Sequence, residues 1–141
     1  MTVFLDTSVL IAAARISDER HIASFDLIRA SSSETATAAA HTMAEFYASL
    51  TGIRPPLRFH PFQALTLLNQ FHNKLRWIEL SADEVLDAAA RVAALGLLGG
   101  IIYDALLLQC ARKAGAELIY TWNVRHFQLV APDLAERIVR P

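Results

Sequence analysis

The chain has 141 residues, a formal net charge of −1 and 54% hydrophobic residues. This length is typical of one domain with a substantial core, so we expect a single domain over residues 1–141. The net charge is not strongly positive, as it would be in a typical high-affinity DNA-binding protein, but it is compatible with an enzyme that contacts a few phosphates. The single cysteine, Cys110, excludes an intrachain disulfide and a cysteine metal cluster. Charges interrupt every apolar run before about 20 residues, and we expect a cytoplasmic protein without a signal peptide or membrane span.

Apolar runs and helical periodicity alternate along the chain. The apolar runs predict strands over residues 3–5, 35–40, 77–80 and 117–121, with an edge strand at 137–139. Periodicity and capping signals predict helices over residues 9–14, 18–30, 41–50, 61–74, 81–95 and 102–114, then a turn or single helical turn at 123–127 and a short helix from Pro132. Strands that alternate with helices are joined by crossovers. The sequence therefore predicts an α/β fold, a three-layer α/β/α sandwich around a mainly parallel sheet of four to five strands.

The first predicted strand ends at a carboxylate. Asp6 follows Val3–Leu5 and precedes two hydroxyl residues, Thr7 and Ser8, after which a helical pattern begins. Open α/β sheets bind ligands at the carboxyl ends of their strands, so Asp6 lies where a ligand site is expected. A cap on the first helix explains the same residue equally well. This stretch alone leaves both interpretations open.

Two further carboxylates stand beside apolar helix faces. Glu45 borders the stripe that contains Phe46, and Asp104 shares a helix face with Leu107 and Leu108. An unpaired charge on such a face is costly to bury, which favours a role as a ligand. Asp104 also suits a structural role, because an acid in the first turn interacts favourably with the helix dipole.

These three acids predict a metal site. Asp6, Glu45 and Asp104 would repel one another in one pocket unless a cation neutralised them. Oxygen ligands favour a hard divalent ion, Mg²⁺ or Mn²⁺, whose remaining positions are filled by water and substrate phosphate. Such a site suits phosphodiester hydrolysis, because the metal activates water and a second ion about 3.5–4 Å away can stabilise the leaving oxygen. The three acids are therefore the candidate metal ligands and catalytic residues.

Four short motifs occur in order along the chain. They are Phe4–Ser8 with Asp6, Thr42–Tyr47 with Glu45, Tyr103–Ala111 with Asp104, and Ile119–Phe127. Together they resemble the PIN-domain ribonucleases, and within that family the VapC toxins of type II toxin–antitoxin pairs, over essentially the whole chain. The resemblance implies a metal-dependent endoribonuclease with Mg²⁺ or Mn²⁺ as cofactor and RNA as substrate. It further implies a small VapB-like antitoxin as partner, and a homodimer.

Hydroxyl residues next to the acids are expected to support them. Thr7 and Ser8 are candidate hydrogen-bond donors to the Asp6 carboxylate, and Thr121 is expected to orient a neighbouring carboxylate.

The last motif departs from the family pattern. The family often has an additional acid there, where this chain has Asn123 and His126. Asn123 could hold a metal-bound water or ligate through its amide oxygen, or it could simply cap a helical turn. The departure bears on tight binding of a second metal and leaves the single-metal site of the three acids intact. Arg125 and His126 are hypothetical contacts for substrate phosphates, and a solvent-exposed pair explains them equally well.

Two classes of phosphotransfer protein also carry a functional aspartate at the end of a strand. Haloacid-dehalogenase-like phosphatases also begin with a strand that ends in aspartate, but they need a second acid two residues later, where this chain has Ser8. Receiver domains place their phosphoacceptor aspartate in the middle of the chain rather than at position 6. A non-catalytic PIN-like module that binds RNA or protein is the stronger alternative, because the additional acid of the last motif is missing.

Overall fold

The computed structural model describes residues 1–141 and contains one five-stranded sheet. The strands are β1 (Val3–Leu5), β2 (Ala36–Ala39), β3 (Arg76–Ile78), β4 (Leu118–Tyr120) and β5 (Ile138–Val139). Their order is β3-β2-β1-β4-β5, and every neighbouring pair is parallel. The predicted α/β fold with a parallel sheet is confirmed, and β1 occupies the centre of that sheet.

Helices cover both faces of the sheet. They are α1 (Thr7–Ala14), α2 (His21–Arg29), α3 (Thr42–Gly52), α4 (Pro61–Lys74), α5 (Ala82–Ala94), α6 (Ile101–Lys113) and α7 (Val124–Val130), followed by a 3-10 helix at Pro132–Arg137. Successive residues of a strand point to opposite faces. Accordingly Phe4 packs in a core with α5, α6 and α7, whereas Leu5 packs in a second core with α1 to α4. This is the predicted three-layer sandwich.

None of the helices combines the length and apolar character that a membrane span requires.

Several helices differ from their predicted bounds, and α1 begins at Thr7 rather than at Val9. Helix α2 begins at His21 rather than at Asp18, because the Asp18 carboxylate accepts hydrogen bonds from the backbone and side chain of Arg20 and so closes a turn ahead of the helix. The predicted turn at 123–127 is a longer helix, α7, that continues to Val130. Phe127 and Val130 are both buried, so one more turn of helix places a second apolar side chain in the core.

The capping box predicted at the start of α5 is confirmed. Glu84 N–H donates to Ser81 Oγ at 3.2 Å, and Ser81 N–H donates to Glu84 Oε1 at 2.9 Å. Lys113, the last residue of α6, donates to the same Glu84 oxygen at 2.8 Å. This contact joins the end of α6 to the start of α5, so the two helices run antiparallel.

Candidate functional site

Asp6 lies at the end of the central strand, with only 2% of its surface exposed. It precedes α1, but its side chain makes no capping hydrogen bond to that helix. Instead, the hydroxyls of Ser8 and Thr121 both donate to Asp6 Oδ2, each at 2.7 Å. The structure thus decides against a side-chain cap and brings three of the predicted residues together.

Both hydroxyls are themselves fixed by backbone groups. Trp122 N–H donates to Ser8 Oγ at 3.1 Å, and Asn123 N–H donates to Thr121 Oγ1 at 3.0 Å. Because each hydroxyl oxygen already accepts a hydrogen bond, its own hydrogen is directed towards Asp6 Oδ2. Both side-chain hydroxyls thus donate to the same oxygen, Oδ2, and neither donates to Oδ1.

The Thr7 hydroxyl does not contact the Asp6 carboxylate, contrary to expectation. Its Oγ1 lies 2.9 Å from Oγ1 of Thr42, and both side chains are buried. Since Thr7 is the first residue of α1, its side chain leaves the strand end and turns towards the start of α3. Thr7 therefore links the strand that carries Asp6 to the helix that carries Glu45. It supports the site by fixing the helix rather than the carboxylate.

Glu45 lies in the first turn of α3, and 42% of its side chain is exposed. The nearest imidazole belongs to His41, whose Nε2 is 3.5 Å from Glu45 Oε1. That separation is too long for a good hydrogen bond, and His41 Nε2 is buried without a hydrogen-bond partner. Burial lowers the pKa of His41, which keeps the ring neutral at pH 7. Glu45 consequently has no cationic partner.

Asp104 lies in the first turn of α6 and contacts a residue of α7. His126 Nε2 is 2.7 Å from Asp104 Oδ2, although the two residues are 22 positions apart in the chain. Burial raises the pKa of Asp104, and the charge and hydrogen bond of His126 oppose that rise. His126 thus orients one oxygen of the carboxylate, which is a role of the kind that outer residues have towards metal ligands.

The three acids belong to one electrostatic environment. Burial raises the pKa of Asp6, and the charge of Asp104 adds to the rise, while hydrogen bonds from Ser8, Thr121 and the Thr7 backbone oppose it. Burial likewise raises the pKa of Glu45, with further contributions from the charges of Asp6 and Asp104. No Lys or Arg side chain pairs with any of the three acids. Apart from the contact of His126 with Asp104, these three acids therefore have no partner of opposite charge.

This donor set suits a hard divalent cation. It offers carboxylate oxygens only, from Asp6, Glu45 and Asp104, which are the ligands that Mg²⁺ and Mn²⁺ prefer. In the side-chain positions of this structure, no three Asp, Glu, His or Cys side chains converge closely enough to enclose an ion. Glu45 is the most exposed of the three acids.

The remaining predicted residues lie at the start of α7. Asn123 is the N-cap residue of α7, but its side chain makes no capping hydrogen bond. That side chain is exposed, and only its backbone N–H reaches the site, through Thr121. Arg125 is exposed and forms no ion pair or side-chain hydrogen bond. Both side chains are therefore available to a substrate, and neither contacts an acid in this structure.

Three residues near the acids were not predicted from the sequence. Thr42 meets Thr7, the backbone of Trp122 fixes Ser8, and His41 lies beside Glu45. The spacing of Thr42 and Glu45 is that of an ordinary capping box and gives no signal of the contact with Thr7. The other two contacts depend on how α3 and β4 are placed and have no sequence pattern.

Comparison with known proteins places this arrangement in a family. The PIN domain family model matches residues 3–131. The VapC20 toxin of Mycobacterium tuberculosis, described as cleaving the sarcin–ricin loop, has a TM-score of 0.70 at 18% identity, covering 89% of this chain and 92% of that one. A chain of the DNA-bound VapBC complex of Salmonella typhimurium has a TM-score of 0.70 at 19% identity, covering 99% and 98%.

A third similar structure is the VapBC2 complex of Rickettsia felis, bound to a DNA fragment from its promoter. It has a TM-score of 0.63 at 17% identity, covering 92% of this chain and 93% of that one. At these identities the likeness concerns the fold. No curated protein sequence matches the chain significantly. The family model, however, spans nearly the whole chain and includes all three strand-edge and helix-start acids, so the protein belongs to the PIN domain family.

Proposed function

We propose that this protein is a metal-dependent endoribonuclease, and the toxic component of a type II, VapBC-like toxin–antitoxin system. The observation that carries the proposal is the buried Asp6 carboxylate, which shares its environment with Asp104 and Glu45 and lacks any cationic side-chain partner. A protein gains no stability from such a concentration of charge. Its retention at the edge of the sheet is best explained by a bound cation.

Asp6, Asp104 and Glu45 would hold the ion, which we propose to be Mg²⁺ or Mn²⁺. When bound, it supplies an activated water and stabilises the charge that develops at a phosphate. The protein's own residues set the positions of the ligands. Ser8 and Thr121 fix Asp6 through its Oδ2, and His126 holds Asp104 through its Oδ2.

The substrate would be RNA, and two exposed residues are placed to contact it. Arg125 and Asn123 lie at the start of α7, next to Thr121 and one turn or less from His126. An unpaired guanidinium suits a phosphate oxygen, and an exposed amide can donate to a phosphate or a base edge. Both are therefore proposed as substrate contacts outside the metal ligands.

A small VapB-like antitoxin is the proposed protein partner. Solved complexes of two structurally similar proteins are VapBC assemblies. In this chain an apolar surface runs between α1, α2 and α4, with cavities of about 570 and 210 Å³ that both border Leu67. Exposed Ile16, Leu57 and Phe25 extend it. An apolar helix or strand of an antitoxin would bury this surface. We also propose a homodimer, because further apolar side chains are exposed outside this surface. The proposed location of the protein is the cytoplasm.

The test is cleavage of RNA by purified protein, freed of any antitoxin, in the presence of Mg²⁺ or Mn²⁺. Asp6→Asn and Asp104→Asn should abolish cleavage while retaining the fold, and Asp87→Asn, an exposed acid of α5, should cleave as the wild type does. Cleavage that persists in both site variants would refute the mechanism. A wild-type protein that binds RNA but never cleaves it would favour the alternative, a non-catalytic PIN-like binding module. This alternative also agrees with the side-chain positions, in which no three potential metal ligands converge.

A further inference from the structure

The imidazole of His41 carries one of only two buried side-chain polar atoms that lack a hydrogen-bond partner. The other is Gln109 Oε1, on α6. His41 Nε2 is inaccessible to solvent, although 38% of the side chain as a whole is exposed. Buried nitrogen and oxygen atoms are ordinarily paired, so an unpaired nitrogen beside a candidate metal ligand requires an explanation.

The start of α3 does not depend on this imidazole. His41 is the N-cap residue of α3, but its side chain makes no capping hydrogen bond. Backbone contacts hold the first turn instead, because the His41 carbonyl accepts from Ala44 N–H at 3.1 Å and from Glu45 N–H at 3.2 Å. The hydroxyl contact between Thr42 and Thr7 fixes the same turn. A role in capping the helix therefore does not account for the ring.

The side chain that the ring faces is Glu45. The two residues are four positions apart and so lie on the same side of α3. His41 Nε2 is 3.5 Å from Glu45 Oε1, and the ring forms no close pair with any other acid. An approach of about 0.5 Å would bring the two atoms to an ordinary hydrogen-bond distance. Because a carboxylate can only accept, Nε2 would carry the ring's single hydrogen in that contact.

Glu45 is also the one acid of the site that no side-chain donor fixes. Two hydroxyls donate to Asp6 Oδ2, and His126 Nε2 lies 2.7 Å from Asp104 Oδ2. Donors of this kind orient carboxylate ligands and raise the affinity for the metal. The only side-chain nitrogen or hydroxyl paired with Glu45 is His41 Nε2, at the longer distance. The site is thus complete in its outer donors except at this contact.

We propose that His41 positions Glu45 by donating a hydrogen bond from Nε2 to the Glu45 carboxylate when the divalent ion is bound. This inference rests on the proposed metal-dependent function. In the metal-free protein the charges of Asp6 and Asp104 repel Glu45. A bound cation offsets that repulsion, and an ordered Glu45 carboxylate is a strong acceptor for the ring N–H. His41 is therefore a positioning residue, which acts on the metal site through Glu45.

The experiment compares His41→Leu with His41→Gln. Leucine removes the donor, whereas glutamine places an amide N–H at about the same reach as Nε2. The control is His72→Leu, which replaces an exposed histidine of α4 that pairs with no acid. Affinity for Mn²⁺ is measured by calorimetry at pH 7, and the free energy of unfolding is measured in urea with EDTA. RNA cleavage with Mn²⁺ is measured in parallel.

We expect His41→Leu to bind Mn²⁺ about tenfold or more weakly than the wild type. His41→Gln should recover most of that affinity, and His72→Leu should bind as the wild type does. In EDTA the free energy of unfolding of His41→Leu should be unchanged or higher, because the substitution removes an unpaired buried atom. A purely structural histidine would give the opposite result, a lower free energy of unfolding.

Four outcomes overturn the inference. The first is wild-type affinity for Mn²⁺ in His41→Leu, and the second is an equal loss of affinity in His41→Leu and His41→Gln. The third is a loss of affinity that accompanies a lower free energy of unfolding in EDTA. In these three cases the proposed function stands if the wild type still cleaves RNA. The fourth is a wild type that binds no Mn²⁺, and if it also fails to cleave RNA, the proposed function falls with the inference.

Discussion

Replacing Asp6 with asparagine should stabilise the metal-free protein. Asp6 is 2% exposed, and its ionised form has no cationic partner. Asparagine keeps the shape and still accepts the hydroxyl hydrogen bonds of Ser8 and Thr121. Each of those bonds weakens from about 1.5–3 to about 0.5–1.5 kcal/mol when the acceptor loses its charge. Relief of a desolvation cost of several kcal/mol exceeds that loss. We expect a net gain of about 1–2 kcal/mol at pH 7, or about 3–8 °C in Tm.

The same change should alter the pH dependence of stability. Because burial raises the pKa of Asp6 above its ordinary value of 3.8, the folded chain holds this proton more tightly than the unfolded chain does. The resulting stability is fully present below about pH 3.8 and is lost as the pH rises through the folded-state pKa. The stability advantage of Asp6→Asn over wild type should therefore be small in acid and grow as the pH rises from about 4 to 7.

The assay is thermal unfolding in EDTA, followed over this pH range. Asp87→Asn serves as the matched control, because it removes an exposed, unpaired carboxylate and should change stability by less than about 0.5 kcal/mol. A decrease in the unfolding free energy of more than about 1 kcal/mol in Asp6→Asn would refute this prediction, since the carboxylate would then be a structural anchor. It is also refuted if the advantage shrinks with rising pH.

Three further predictions concern one hydrogen bond near the site, one helix cap and one buried thiol. Thr7→Val and Thr42→Val should each lower the free energy of unfolding in urea by about 1–3 kcal/mol, because each leaves the other buried hydroxyl unpaired. The double variant should lose less than the sum of the two single losses. Fully additive losses would argue against the contact. Ser81→Ala should lower the free energy of unfolding by about 1 kcal/mol, because it removes the N-cap side chain of α5. An unchanged unfolding midpoint would argue against the capping box. Cys110 is buried, and burial raises the pKa of its thiol to about 12. A thiol reagent at pH 8 should therefore modify Cys110 only at the rate at which the protein unfolds. Rapid labelling of the native protein would contradict this prediction.

Local sequence patterns were sufficient to predict the architecture and to select the three acids as candidate ligands. The run Val3–Leu5 ends at Asp6, and an apolar run that stops at a carboxylate is readable without knowledge of its neighbours. The Ser81 and Glu84 capping box is likewise a local pattern, and both of its hydrogen bonds are present. Alternation of strands and helices was enough to predict a parallel sheet, since each connection has to cross over.

Contacts between elements that are distant in the chain could not be read in this way. The pair formed by Asp104 and His126 depends on how α7 packs against α6, which no spacing encodes. Thr7 differs from the expectation because α1 begins at that residue, two positions earlier than the apolar pattern indicated, and the first helical residue directs its hydroxyl towards Thr42. A shift of two residues in a helix start thus changed the partner of one side chain while leaving the fold unaffected.

The central claim is that Asp6, Glu45 and Asp104 together hold a divalent cation. Calorimetric titration of the metal-free protein with Mn²⁺ at pH 7 tests it most directly, with Asp104→Asn and the control Asp87→Asn measured alongside. We predict binding of at least one ion to the wild type and to Asp87→Asn, and a loss of affinity of more than about tenfold in Asp104→Asn. Binding of equal strength in Asp104→Asn, or no binding by the wild type, would contradict the account.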